Sequence, residues 1–153
     1  DEVTVIALVE RLNTTGAALA EFSVNTETQN GAWRLGNLTS GSADAMQSRG
    51  TALQSATRVP QSPMTRRYVS TGQANISADL VTLQTNNETP GTQTGDQGSG
   101  NYGTHPLYLF SRGGTTLRFS GRCYALLAIN RLLTKQEVAL VKADFAQRGG
   151  LIL

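Results

Sequence analysis

The chain holds one cysteine, one histidine and one tryptophan in 153 residues. A single thiol, Cys123, closes no intrachain disulfide, and one Cys with one His cannot supply the spaced ligand sets of a structural zinc site. Charged residues make up only 16%, prolines number four, and no apolar run approaches membrane-spanning length. With no signal-peptide pattern either, membrane insertion is not expected. Acid and base nearly cancel, leaving a net charge of +2. No Lys/Arg stripe or aromatic–basic alternation runs through the sequence, so nucleic acid is not an expected partner. The densest basic spot, Arg66-Arg67-Tyr68, reads as a solvated turn before a strand.

What is present suits a sheet protein. Sixteen glycines and many Thr, Ser, Asn and Gln residues accompany 39% hydrophobic content, the mix of an antiparallel sandwich with polar outer faces and many turns. A chain this long buries about two-thirds of its unfolded surface in one core, so residues 1–153 form one expected domain. The chain opens on a strand, Glu2 to Glu10, without an initiating methionine, which suggests a processed protein or the end of a longer one. Both alternating sets of that strand are apolar, Val3, Val5, Ala7 and Val9 against Ile6 and Leu8, so burial on both faces is expected.

Further strands are expected at Ala17–Asn25, Ala32–Leu35, Asp44–Arg49, Thr51–Arg58, Arg67–Thr71 and Ile76–Gln84, with turns at Asn13–Gly16 and Gln29–Gly31 and a break at Pro60–Pro63. Asn86 to Gly103 has almost no large apolar residue and reads as a long surface loop. Pro106–Phe110 is a short strand, Arg112-Gly113-Gly114 a turn, and Leu117–Ile129 a long strand in which Gly121 marks a bend, bulge or new pairing. Thr134 and Glu137 have capping-box spacing, which predicts a helix. Val138, Val141 and Phe145 would face the sheets, Lys135, Lys142 and Asp144 the water, and Gly149-Gly150 would stop it.

The closing stretch, FSGRCYALLAINRLLTKQEVALVKADFAQRGG, resembles the end of concanavalin A-like (laminin G-like) jelly-roll domains, in particular those of bacteriophage tail and other virion proteins. Phe119, Gly121, Arg122, Tyr124 and Leu126 carry the likeness, supported upstream by Asp96–Phe119, Val3–Val9 and Ser48–Thr51. The resemblance implies a mostly β, two-sheet antiparallel jelly-roll sandwich with one short C-terminal helix, forming the C-terminal part of a longer virion protein. It further implies a location on the virion exterior or tail, other virion proteins as partners, and a homo-oligomer, most often a trimer. Because such domains have a strand before this point, either a preceding region or a partner is expected to cover a sheet edge.

Retaining glucanases of this fold place two carboxylates about 5 Å apart. No E-x-D-x-E strand exists here, since Glu10, Glu21, Glu27, Asp44, Asp79, Glu88 and Asp96 are scattered one per element. His105 has no nucleophile motif beside it and reads as a loop-end residue. A non-enzymatic module without cofactor or metal is therefore expected, either binding host surface glycan or serving as capsid decoration or tail structure. The candidate ligand residues are Trp33, Asp96, Asn101, Tyr102 and Arg112. Tyr102 or Trp33 could stack on a sugar ring, and Asp96 and Asn101 could hold a sugar hydroxyl or calcium ion. Against this, Asp96 and Asn101 could fasten their own loop, Trp33 could be core, and Arg112 and Arg122 could be paired surface arginines. Cys123 reads as a buried small hydrophobe rather than a reactive thiol.

Overall fold

The computed structural model describes residues 1–13, 15–38, 43–59 and 67–153. Among the described residues ten strands and one helix follow in order: β1 Glu2–Arg11, β2 Ala17–Phe22, β3 Ala32–Asn37, β4 Asp44–Arg49, β5 Leu53–Arg58, β6 Tyr68–Asn75, β7 Leu80–Thr85, β8 Gly91–Gln93, β9 Leu107–Leu109, β10 Gly121–Ile129 and α1 Lys135–Gly149. They form two five-stranded sheets, ordered β10-β1-β6-β7-β8 and β5-β4-β3-β2-β9. Every pairing between these strands is antiparallel. The architecture is the expected two-sheet sandwich closed by one helix.

The two-faced pattern of β1 explains the layering. Val3, Val5, Ala7 and Val9 point between the sheets and join Leu19, Trp33, Leu35, Met46, Val81 and Leu83 in the main core. Ile6 and Leu8 point outward, where they meet Val69, Leu133, Val138 and Phe145 in a second core beneath α1. The helix thus exists as a lid for one half of the first sheet. Thr134 and Glu137 complete the capping box, and Gly150 ends the helix at φ 64 in the left-handed region that glycine adopts without strain. Phe145 is buried at 8% exposure, and its replacement by alanine should cost about 3–5 kcal/mol.

Several expectations need correction. Lys142 does not face water: it is 5% exposed, and its ammonium donates to Gln84 Oε1 at 3.1 Å, Asn87 Oδ1 at 2.8 Å and the Asn86 carbonyl. Its position lies on the α1 side turned toward the end of β7, where three neutral acceptors replace hydration. The surface loop Asn86–Gly103 contains β8, which pairs with β7, and Gln97, which is fully buried and donates to the Asn75 carbonyl at 2.8 Å. Within Leu117–Ile129 regular pairing begins at Gly121, as expected there, after Leu117 at φ 44. The register shift lies at Tyr124, which falls between the Leu8–Ala125 and Val9–Cys123 partners. The first strand lies inside its sheet, flanked by β10 and β6.

Cys123 is half-buried and packs on the main core, where burial pushes its thiol pKa up. The break expected at Pro60–Pro63, Arg66 and Thr14 of the first turn lie outside the described residues. No described helix is long and apolar enough to cross a membrane.

Candidate functional site

A cleft of about 340 Å³ opens where the outer strands β9 and β10 face each other across the sandwich edge. Trp33, Tyr102, Phe22, Leu107, Ala128 and Ile129 wall it, with Glu2 and Asn130 also lining it. Trp33 and Tyr102, distant in sequence, come together because the loop before β9 is stapled to the start of β3. The Gly103 amide donates to the Gly31 carbonyl at 2.9 Å, and His105 Nε2 bonds the Asn30 carbonyl at 2.9 Å. Gly31 makes this possible: it sits at φ +67, and a Cβ there would lie 2.5 Å from the Asn101 carbonyl oxygen.

Within the cleft the two predicted aromatics differ. Trp33 is 5% exposed and stacks on Phe22 with ring centroids 5.9 Å apart, which makes it chiefly a core residue. Tyr102 is half-buried and shares a 2.7 Å hydroxyl bond with Ser48; burial raises its pKa to about 12, with the Ser48 bond opposing. Phe22, only partly buried, presents the second aromatic surface.

The other three candidates do not line this cleft. The Asp96 carboxylate accepts the Gly98 amide at 2.6 Å, a turn within its own loop. Asn101 is exposed on that loop. Arg112 is an ion-paired strut: its Nε donates to both Glu21 carboxylate oxygens at 3.2 Å, and Nη2 reaches Glu27 at 3.1 Å. Arg122 pairs with Glu10 at 3.2 Å. The Tyr124 hydroxyl also donates to Glu10 at 2.7 Å, and that bond leads the causes that lower the Glu10 pKa. Among the described residues no three His, Cys, Asp or Glu side chains gather as a metal site.

A second and larger space, about 1040 Å³, lies between α1 and the outer face of β6, β7 and β8. Its sheet side carries Thr71, Gln73, Thr82, Gln84 and Thr92, and its helix side includes Lys135, Ala139, Lys142 and Ala143. Sequence reasoning missed it. The signal was the alternation in Tyr68–Asn75 and Leu80–Thr85, where Gly72, Ala74, Val81 and Leu83 turn inward and the intervening Thr and Gln residues turn outward. What the sequence could not show is that α1 covers only part of this face.

No family model and no curated protein matches the chain. Solved structures do. The CBM40 domain of the Ruminococcus gnavus IT-sialidase, bound to α2,3-sialyllactose, superimposes with a TM-score of 0.69 at 14% identity over 93% of this chain and 83% of that one. The K499G mutant of the Streptococcus pneumoniae NanB sialidase gives 0.68 at 13% identity, over 90% of this chain and 23% of the sialidase. The enzymatically active domain of bacteriophage CBA120 tailspike protein 2 gives 0.65 at 13% identity, over 94% of this chain and 24% of the other. The chain therefore spans under a quarter of the sialidase and tailspike chains. At such identities the likeness establishes the fold alone, a concanavalin-like two-sheet β-sandwich.

Proposed function

We propose that the chain is a non-enzymatic glycan-binding module of a bacteriophage virion protein, displayed on the exterior or tail. The observation that carries the reading is the cleft at the sandwich edge, where the predicted Trp33 and Tyr102 meet. Its volume of about 340 Å³ suits a single sugar ring, with Tyr102 and Phe22 as apolar walls and Asn130 and Glu2 as polar groups. Near end-to-end similarity to a domain crystallised with sialyllactose supports glycan as the ligand class, and the tailspike similarity supports a phage setting. A homo-oligomer, with a trimer favoured, would multiply weak single contacts by raising the effective concentration of each next site. Binding rather than cleavage is favoured because, among the described residues, the cleft is lined by one acidic side chain, Glu2, where paired carboxylates are needed for hydrolysis.

A second reading, virion structure without glycan recognition, has its own observation. Leu107, Leu109, Phe110 and Tyr124 are each about 39–45% exposed, and all lie on or beside the unpaired edges of β9 and β10. Such an edge suits contact with another virion protein.

The test is a glycan array that includes α2,3-sialyllactose and extracted bacterial surface polysaccharide, with the oligomeric mass recorded alongside. Saturable binding, competed by free glycan and weakened at least tenfold in Tyr102→Ala, supports the reading. A well-folded wild type that binds none of them moves the assignment to virion structure. Trp33→Ala is a poor probe, because removing a core aromatic costs about 3–5 kcal/mol by itself.

A further inference from the structure

The cleft at the sandwich edge is electrically one-sided. Glu2 is the one charged side chain among the described residues that line it. Its Oε1 accepts the Asn75 side-chain amide at 3.0 Å and its Oε2 the Leu132 backbone amide at 3.3 Å, both neutral donors. No lysine or arginine among the described residues stands at ion-pair distance from it. Arg131, next in sequence to the cleft residue Asn130, gives its two terminal nitrogens to Glu137 at 3.0 and 2.7 Å. A carboxylate has about four acceptor sites, so the two bonds to Glu2 leave others open. Glu2 is half-buried, within reach of a ligand in the cleft.

The other walls decide what carries the donor that Glu2 lacks. Phe22, Tyr102, Leu107, Ala128 and Ile129 present carbon surface, against which the C–H face of a sugar ring packs. The faces of aromatic rings also attract a cation. Carbon walls screen the Glu2 charge less than water does, so its sign weighs on whatever enters. Asn130 is exposed, and no described group holds its side chain, which leaves an amide donor and acceptor for sugar hydroxyls. A carboxylated sugar would set a second negative charge against Glu2, and a plain hexose would leave the first unmet. An ammonium on the ring meets it.

Building on the glycan reading of this cleft, we infer that it selects an amino sugar in its ammonium form. The ring packs on Tyr102 and Phe22, the ammonium donates to Glu2, and a hydroxyl bonds Asn130.

The experiment is an amide NMR titration of the full 153-residue chain with glucosamine, at a pH below neutrality where its amine is protonated. Glucose and N-acetylglucosamine are the neutral controls, glucuronate the anionic one, and choline a cation without a sugar ring. Saturable shifts at Gly103, Ala128, Ile129 and Asn130 are expected, with glucosamine at least about tenfold tighter than either neutral sugar, the weight of one hydrogen bond to a charged group. Glucuronate should bind more weakly than glucose, and choline more weakly than glucosamine. Glu2→Gln should bring glucosamine down to the affinity of glucose. Should that variant fail to fold, added sodium chloride isolates the charge in the wild type, weakening glucosamine and not glucose. Glucose as tight as glucosamine at these amides would overturn the inference and leave the glycan reading standing. Glucuronate or choline matching glucosamine, or the preference surviving in Glu2→Gln, would overturn it too, and no shift with any sugar would overturn both.

Discussion

Replacing Arg112 by methionine removes one member of a balanced set of four charges. Glu21 is fully buried; its Oε1 accepts the Thr26 amide and hydroxyl at 2.7 Å each, and both its oxygens accept Arg112 Nε at 3.2 Å. Arg34, 2% exposed, completes the set: burial lowers its pKa most, Arg112 adds to that, and Glu21 and Glu27 oppose it. Two arginines and two glutamates cancel. In Arg112→Met the cluster carries a net negative charge, and the Glu21 carboxylate keeps only the Thr26 donors. Breaking a buried pair in this way costs about 3–5 kcal/mol. A domain of this size has about 5–15 kcal/mol to lose and shifts its Tm by about 2–4 °C per kcal/mol, so a drop of roughly 6–20 °C follows. Adding Glu21→Gln restores neutrality, leaving Arg34 with Glu27, and should recover at least about 1.5 kcal/mol of the loss. Urea denaturation of wild type, single and double variants measures both quantities. A single-variant loss below about 1 kcal/mol, or a double variant less stable than the single, would refute the charge-balance argument. The same data decide whether Arg112 is a strut or a spare surface cation.

Three other outcomes follow from the geometry. Asp44 is buried beside Arg11 at 3.0 Å, and desolvation, outweighing Arg11 and the Tyr68 hydroxyl bond, raises its pKa to about 6. The folded state then binds the proton more tightly than the unfolded chain, so Asp44 favours folding fully below about pH 4, and that contribution is lost as the pH rises toward 6. A carboxyl carbon NMR titration with a midpoint at or below 4 would show that the arginine outweighs burial. Thr134→Ala removes the helix N-cap and should cost about 1 kcal/mol in thermal or urea unfolding, with the hydrogen-exchange protection of the first turn of α1 reduced. Gly31→Ala places a methyl against the Asn101 carbonyl at positive φ, so the loop bearing Tyr102 must move; shifted Gly103 and His105 resonances in an otherwise folded protein are the expected signature.

The local pattern of the chain was enough to place most elements. Alternation in β1 set both of its buried faces, the Thr134–Glu137 spacing set the helix start, and Gly149-Gly150 its end, because each depends on backbone geometry within a few residues. Where a residue's neighbours come from elsewhere in the chain, the sequence was silent or misleading. Lys142 reads as a solvent-facing lysine on a helical repeat, yet the end of β7 supplies acceptors that hold it in the protein. Arg112 reads either as a paired arginine or as a glycan contact, and only the fold names its partner, the buried Glu21 of β2, 91 positions away. Gln97 looks like loop surface, yet it is fully buried. Both cavities belong to this second category. Trp33 and Tyr102 are noticeable individually as rare aromatics, but only the pinning of the loop to Gly31 places them in one cleft. The helix-side groove has no sequence motif at all; it exists because α1 packs mainly on β1, β6 and β10 and reaches β7 through the Lys142–Gln84 bond, which leaves a polar sheet face beside a low alanine wall. Strand and helix identity follow from short-range periodicity, whereas burial, charge pairing and open space are set by which distant segments pack together.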